Sequence, residues 1–125
     1  MYDFRDVYVN VIIPNGGEYW GNGTQQEIKW NLLNTALDVK IDVSIDNEAT
    51  WNTIATNLPY TQNNFNWLIN TNVSPYCKIR VSEIGGVHFD KSDNFFTIAG
   101  TNGITTNNIS TTNFCSGDSS TVDFT

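Results

Sequence analysis

The amino-acid sequence predicts an all-β fold in which two antiparallel sheets of about seven strands pack face to face. Three observations predict it. Apolar and polar residues alternate with period two in short segments, turns rich in Gly, Pro, Asn and Asp separate these segments, and no segment has the periodicity of a helix. Because a parallel sheet needs long crossover connections, the pattern indicates an immunoglobulin-like or fibronectin-III-like β-sandwich.

Composition supports one folded domain and disfavours two classes of partner. The chain has 125 residues, of which 39% are hydrophobic and 13% aromatic, enough to build one core. Six Lys and Arg stand against thirteen Asp and Glu, so no basic patch is expected to bind nucleic acid. No apolar run is long enough to cross a bilayer, and residues 1–10 lack the basic start and apolar middle of a signal peptide. Membrane insertion is not expected, and an export signal is expected to have been removed or to lie upstream.

The first two strands are separated by a glycine-rich segment. Residues 7–13 place Val7, Val9, Val11 and Ile13 on one face, and the run ends at Pro14-Asn15-Gly16-Gly17. Pro and paired Gly interrupt a strand ladder, so Pro14, Gly16 and Gly17 are predicted to be structural turn residues. In the next strand, residues 26–32, the alternation places Trp30 in the interior.

The clearest strand covers residues 37–45. Its apolar face holds Leu37, Val39, Ile41, Val43 and Ile45, and its other face, expected to meet water, holds Asp38, Lys40, Asp42 and Ser44. This pattern predicts a central strand. Residues 46–48 form a turn, and residues 50–54 are short enough to be the return strand of a hairpin.

The remaining strands are predicted at residues 64–69, 77–82 and 96–98. Their alternation points Trp67 and Cys77 inward. A buried free thiol at Cys77 is expected to be a small core residue with a raised pKa. Since the second strand has no cysteine, the inter-sheet disulfide of antibody domains is missing, and packing alone is expected to hold the core.

The composition changes after residue 99. Residues 100–112 are a Thr- and Asn-rich run that is predicted to be a linker. Residues 113–125 have a new strand-like pattern that is too short to fold alone, which indicates the start of a following module or an added strand. The predicted domain is therefore 1–99.

Several motifs in order resemble a known family. The chain is similar to the immunoglobulin-like domain shared by yeast cell-wall glucan-synthesis proteins of the Kre9/Knh1 type and by large secreted proteins of Bacteroidetes. The resemblance implies an extracellular, non-catalytic sandwich in tandem with other modules, and it implies that Cys115 begins another module and pairs with a cysteine outside this chain. The family's glycine-rich turn after the third strand is replaced here by Asp46-Asn47-Glu48-Ala49. The residues that carry the resemblance are Pro14-Asn15-Gly16-Gly17-Glu18-Tyr19-Trp20, Ile28-Lys29-Trp30, Ser44-Ile45-Asp46, Thr50-Trp51-Asn52-Thr53-Ile54, Phe65-Asn66-Trp67, Cys77-Lys78-Ile79-Arg80-Val81-Ser82 and Ser92-Asp93-Asn94-Phe95-Phe96-Thr97-Ile98.

The hairpin after the third strand also approximates an Asp-box, a Ser-x-Asp-x-Gly-x-Thr-Trp turn that is tied by its Asp. Here the pattern begins at Ser44 and Asp46 and ends at Thr50-Trp51, with Glu48 at the Gly position. Asp and Ser side chains commonly bond turn backbones, so Asp46 is assigned a structural role.

Two tryptophans are the candidate ligand-binding residues. Trp20 and Trp51 lie beside turns and form the outward pair that could stack on a sugar ring, whereas Trp30 and Trp67 point inward. Aromatic residues in such positions more often close the end of a sandwich.

Candidates for metal binding and catalysis are weak. Asp38, Asp42 and Asp46, or Glu83, Asp90 and Asp93, leave calcium open as an alternative to no cofactor, although neither set has a known loop spacing. His88 is the only histidine, so a hydrolytic triad or a zinc site has little to build on, and no catalytic residue is predicted.

The sequence therefore predicts a non-catalytic structural or adhesive module of a secreted or cell-surface protein. Its expected partners are neighbouring domains of the same polypeptide, or a cell-surface glycan or protein. Two alternatives stay open: a carbohydrate-binding domain that uses Trp20 or Trp51, and a subunit of a filament that assembles through the strand-like residues 121–125.

Overall fold

The computed structural model describes residues 6–100, and in this range the chain is all-β and contains no helix. Residues 101–112 of the predicted linker and the segment 113–125 lie outside the described residues. Nine strands form where about seven were predicted, and the two extra ones have only three residues each. The strands are β1 (Tyr8–Ile13), β2 (Tyr19–Gly21), β3 (Gln25–Leu33), β4 (Val39–Ser44), β5 (Asn52–Leu58), β6 (Asn64–Leu68), β7 (Ser74–Glu83), β8 (Phe89–Lys91) and β9 (Phe96–Ala99).

The strands form two sheets, which confirms the predicted β-sandwich. The small sheet has the order β1-β3-β6, and the large sheet has the order β2-β9-β7-β4-β5, with β8 also paired to β7. All pairings are antiparallel except that of β2 with β9, which run parallel. The chain therefore changes sheets between β1 and β2, across the Pro14-Asn15-Gly16-Gly17 segment.

The core lies between the two sheets, and no disulfide joins any residues of the range 6–100. Trp30 is fully buried and Trp67 is 5% exposed, as their strand phase predicted. Cys77 is buried and free, and burial raises the pKa of its thiol. Burial of one large apolar side chain stabilises a fold by roughly 1.5–3 kcal/mol, so packing supplies the stability of this core. Its members are Val11, Ile28, Trp30, Val39, Ile41, Val43, Trp67, Ile69, Cys77, Ile79, Val81, Phe96 and Ile98.

The polar face of β4 differs from its prediction. This strand is central, as predicted, because it pairs with both β5 and β7. Asp42 and Ser44 were expected to face water, yet Asp42 is 2% exposed and Ser44 is fully buried. Side chains of the neighbouring strands contact Asp42, which accepts hydrogen bonds from Thr53 and Arg80. Ser44 bonds the turn that follows its strand. Leu37, expected on the buried face, precedes the strand and is exposed.

The described chain enters and leaves the sandwich at opposite ends. Val7 lines a hollow together with Leu37 and Glu83, where β7 ends and β4 begins. Ile98, near the end of β9, pairs with Ser74, the first residue of β7. β7 runs the length of the sandwich. β1 therefore begins at the pole where β7 ends, and β9 ends at the pole where β7 begins.

Candidate binding face

The outer face of the large sheet collects side chains from four strands, β4, β5, β7 and β8. Residues in register on neighbouring strands share a face, so the pairings place Lys91, Arg80, Asp42 and Thr53 in one row that faces away from the core. A second row holds Lys78 beside Ser44. We call this surface the aromatic–cationic face and define it by Lys40, Trp51, Tyr76, Lys78, Arg80, Phe89, Lys91 and Phe95.

Most of the cationic side chains lie on this face. Of the five Lys and Arg residues in the described range, only Lys29 lies elsewhere. The whole chain has a formal net charge of -7, so cations are scarce and their clustering is a marked asymmetry. Such a local excess of positive charge attracts anionic groups on a partner.

Two carboxylates hold these cations in place. Asp42 Oδ2 lies 3.1 Å from Arg80 Nη2 and 3.7 Å from Lys40 Nζ. Glu48 lies 3.2 Å from Lys78 Nζ and 2.5 Å from Lys91 Nζ. Hydrogen bonds from Lys91 and Lys78 lower the pKa of the Glu48 carboxyl below its ordinary value of 4.5. Each carboxylate has two cationic neighbours, so these contacts pair four cations with two carboxylates.

Aromatic rings interleave with the cations. The Arg80 guanidinium lies 4.2 Å from the centroid of the Trp51 ring, and Lys78 Nζ lies 5.1 Å from that of Phe95. The Phe95 ring in turn meets Tyr76 edge-on, with 5.6 Å between the ring centroids. Tyr76 and Phe89 are each more than half exposed. Cation–π contacts order these side chains while leaving apolar surface open to a partner.

The two candidate tryptophans do not form a common platform. Trp51 lies on the aromatic–cationic face and is half-buried beneath Arg80. Trp20, in β2, is paired with Ile98 and packs against the core, with 5.3 Å between its ring centroid and that of Phe96. The structure thus separates residues that the sequence placed together as an outward pair.

Asp46 ties the turn between β4 and β5. Its carboxylate accepts hydrogen bonds from Thr50 N at 2.9 Å and from Thr50 Oγ1 at 2.5 Å. Ser44 Oγ donates to Asp46 Oδ1 and accepts from Glu48 N, both at 2.9 Å. The bonds from Thr50 lower the pKa of the Asp46 carboxyl. Glu48 has φ 66°, a left-handed conformation that favours glycine, at the Gly position of the Asp-box pattern.

Pro14, Gly16 and Gly17 lie in a turn that is bound to the segment before β9. Asn15 Nδ2 donates to Asp93 Oδ2 at 3.0 Å, and Asp93 N donates to Asn15 Oδ1 at 2.8 Å. Gly17 N donates to Phe95 O at 2.9 Å. These bonds connect the segment between β1 and β2 to the segment that leads into β9.

The carboxylates considered for calcium are engaged separately. Asp90 Oδ2 accepts from Val11 N at 2.8 Å, while Asp93 binds Asn15. Glu83 accepts from Thr35 Oγ1 at 2.6 Å and lies 2.9 Å from His88 Nδ1. Within residues 6–100, no three His, Cys, Asp or Glu side chains group so as to hold a metal ion.

Sequence reasoning did not single out the cationic members of this face. In β7, Lys78 and Arg80 alternate with core residues. The sequence of this strand therefore indicated that both cations point to its outer face. Their approach to Lys91 and Trp51 depends on strand order, which a single sequence does not reveal.

Neither a membrane-spanning helix in residues 6–100 nor a related protein is found for this chain. Among residues 6–100, no helix has the length and apolarity that crossing a bilayer requires. Comparison with known proteins finds no family model, curated protein or solved structure that matches the chain.

Proposed function

We propose that this chain is a non-catalytic adhesive module of a larger secreted or cell-surface protein, and that its aromatic–cationic face binds an acidic surface of a protein partner. The observation that carries the proposal is the gathering of Lys40, Lys78, Arg80 and Lys91 on one sheet face of an acidic chain. A neighbouring domain of the same polypeptide is the first candidate partner.

The composition of the face supports protein binding. Arginine and aromatic residues are enriched in protein interfaces, and here Arg80 lies over Trp51 beside exposed Tyr76. The remaining surface is acidic, so an acidic partner is repelled from it and directed to this face.

Further support for a non-catalytic module comes from His88. Its ring bonds Glu83 and no other described residue. The nearby hydroxyl of Thr35 donates to the same carboxylate and not to the ring, so the cluster lacks the nucleophile–base contact of a hydrolase.

The resemblance in residues 7–99 supports the placement outside the cell. It implies a secreted protein built of tandem modules, in which exposed sheet faces are available to neighbours. The absence of a core disulfide among the described residues is compatible with this, since thirteen buried apolar residues form the core.

A titration of the isotopically labelled chain with a synthetic deca-glutamate peptide tests the proposal. At low ionic strength, chemical shifts are expected to move at Lys78, Arg80, Lys91 and Trp51, and added salt is expected to reverse the shifts. The double variant Lys78→Gln/Lys91→Gln is expected to weaken binding by about two- to thirtyfold, because each exposed charge pair contributes roughly 0.2–1 kcal/mol.

Lys29→Gln is the matched control, because Lys29 is the described cation outside the face. It is expected to leave the affinity nearly unchanged. Equal weakening by both variants, or shifts scattered over the whole surface, would overturn the proposal. Binding of polygalacturonate without binding of the peptide would also overturn it and assign the face to an anionic polysaccharide.

A further inference from the structure

A second concave surface lies on the other side of the large sheet. It is a cleft of about 520 Å³ between β4 and β5 and the loop that joins β6 to β7. Its apolar floor is formed by Val43, Ile45 and Ile54, and its rim carries Asn52, Asn70 and Asn72. We call it the amide cleft.

The amide cleft and the aromatic–cationic face meet at β5, where Thr53, a member of the outward row, also lines the cleft. Asn52 is in register with Val43, a core residue, so its side chain points to the cleft side of the sheet. Trp51 precedes it by one residue and lies under Arg80 on the outer face. The first residue of β5 and the residue that precedes the strand thus serve two different surfaces.

The rim amides are free to bind a ligand. The side chains of Asn52, Asn70 and Asn72 make no hydrogen bond to any residue in the range 6–100. Each is exposed and offers two N–H donors and a carbonyl acceptor. Three such groups around one hollow form a set of donors and acceptors that no described protein group uses.

The loop that carries two of these amides is held in position. Thr71 N donates to Asn22 Oδ1 at 3.1 Å, and Thr71 Oγ1 donates to Asn72 O at 2.8 Å. Just before the loop, Ile69 is buried, and its backbone bonds Gly23 and Thr24. A rim that is fixed before binding loses less conformational entropy when a ligand arrives.

The chemistry of the lining selects a neutral, hydroxyl-rich ligand. No Asp, Glu, Lys, Arg or His of the described range lines the cleft, so an ion would have no opposite charge to bind. An amide can donate to one hydroxyl and accept from its neighbour, which matches adjacent hydroxyls on a sugar ring. Aliphatic floor residues suit the C–H face of the same ring, and the volume is in the range of small-ligand sites.

We propose that the amide cleft binds a neutral saccharide chain. Asn52, Asn70 and Asn72 bond its hydroxyls, and Val43, Ile45 and Ile54 pack against a ring face. The site needs neither Trp20 nor Trp51. It does not depend on the proposed protein contact, which uses the aromatic–cationic face.

Affinity electrophoresis with a panel of neutral polysaccharides, namely a β-glucan, an α-glucan, a mannan and a xylan, tests the proposal. Protein made in bacteria avoids N-glycosylation at Asn72-Val73-Ser74. At least one polymer is expected to retard the wild-type chain. The triple variant Asn52→Ala/Asn70→Ala/Asn72→Ala is expected to lose at least about tenfold in affinity, since three polar contacts are removed.

Three control variants distinguish binding at the amide cleft from binding elsewhere on the chain. Asn66→Ala removes an exposed amide of β6 outside the cleft and is expected to bind normally. Trp51→Ala is also expected to bind normally, and so is Lys78→Gln/Lys91→Gln, which affects only the peptide test.

Three results would overturn the proposal. They are no retardation of the wild type by any neutral polymer, full retention by the triple variant, and loss of retention in Trp51→Ala alone. If the triple variant does not fold, NMR of the wild type decides. Polymer addition is then expected to shift the side-chain amide resonances of Asn52, Asn70 and Asn72. Unchanged resonances would then reject the site.

Discussion

Gly16 shows how one residue constrains the connection between β1 and β2. Its φ is 144°, and a Cβ built on it would lie 2.6 Å from Asn94 Cβ. Asn94 cannot move easily, because its backbone N–H donates to Asn15 O at 3.0 Å. The position therefore needs glycine for both conformation and space.

Gly16→Ala is expected to lower the free energy of unfolding by about 2–4 kcal/mol, since backbone strain and a steric clash add. Gly17→Ala is the matched control. Gly17 has φ 85°, but no described atom lies within 4 Å of the position that a Cβ would take, so only the strain of roughly 1–2 kcal/mol is expected. Urea unfolding measures both variants, and equal losses would contradict the role of the Asn94 contact.

For single residues, the sequence predicted the turn at Gly16 but not the contact of Gly16 with Asn94. Pro14, Gly16 and Gly17 are recognisable as turn residues because Pro and Gly have distinctive backbone preferences. The approach of Gly16 to Asn94 joins positions that are far apart in the chain, and no local pattern encodes it.

Among the elements, the β4–β5 hairpin depends on a buried hydroxyl. Ser44 is fully buried, and its Oγ bonds both Asp46 Oδ1 and Glu48 N. The hydroxyl thus fixes the turn in which Glu48 holds a left-handed conformation and binds two lysines of the aromatic–cationic face.

Ser44→Ala is expected to cost about 1–2 kcal/mol of stability, because the variant leaves a backbone N–H of the turn without its partner. Ser82→Ala is the control. Ser82 lies in β7 on the same face of the large sheet as Ser44, and its half-buried hydroxyl makes no side-chain hydrogen bond among the described residues. Its removal is expected to cost little stability. Thermal unfolding of the two variants compares them directly. A larger effect at Ser82 would argue against this role of Ser44.

Alternation predicted the long strands and missed the short ones. A period of two is visible in the nine residues of β3, whereas β2 and β8 have three residues each and contain no repeat to detect. The prediction that Asp42 faces water was wrong for a different reason. Alternation identifies the side of the sheet correctly, but Arg80 and Thr53 from adjacent strands cover that side.

For the molecule as a whole, three carboxyl groups link stability to pH. Burial alone raises the pKa of Glu83, but hydrogen bonds from Thr35 and His88 outweigh it and bring the pKa below its ordinary value of 4.5. The pKa values of Asp46 and Glu48 are also lowered. Because the folded-state values lie below the unfolded ones, this stabilisation is present above about pH 4.5 and is lost as the pH falls through the folded-state values.

The wild type is therefore expected to lose stability as the pH falls below about 4.5 and these carboxylates take up protons. Glu83→Gln cannot take up a proton there, and Thr35→Val removes a bond that lowers the pKa of Glu83. Both variants are expected to show a shallower loss on acidification, measured by urea unfolding across this range. Slopes identical to the wild type would exclude Glu83 as a contributor.

The binding surfaces show the limit of prediction at the molecular scale. Composition indicated an acidic protein, but only the strand order brings four of its few cations together. Likewise, Asn52 and Asn72 are unremarkable in an Asn-rich chain until the sheet edge and a distant loop enclose one cleft.

The parallel pairing of β2 with β9 determines how the sandwich carries a mechanical load. In this pair Tyr19 meets Thr97 and Gly21 meets Ala99. The described part of the chain, residues 6–100, enters and leaves the sandwich at opposite poles. Tension between those poles draws β2 and β9 in opposite directions along their common axis. Their hydrogen bonds are then loaded together in shear and are not peeled apart one by one.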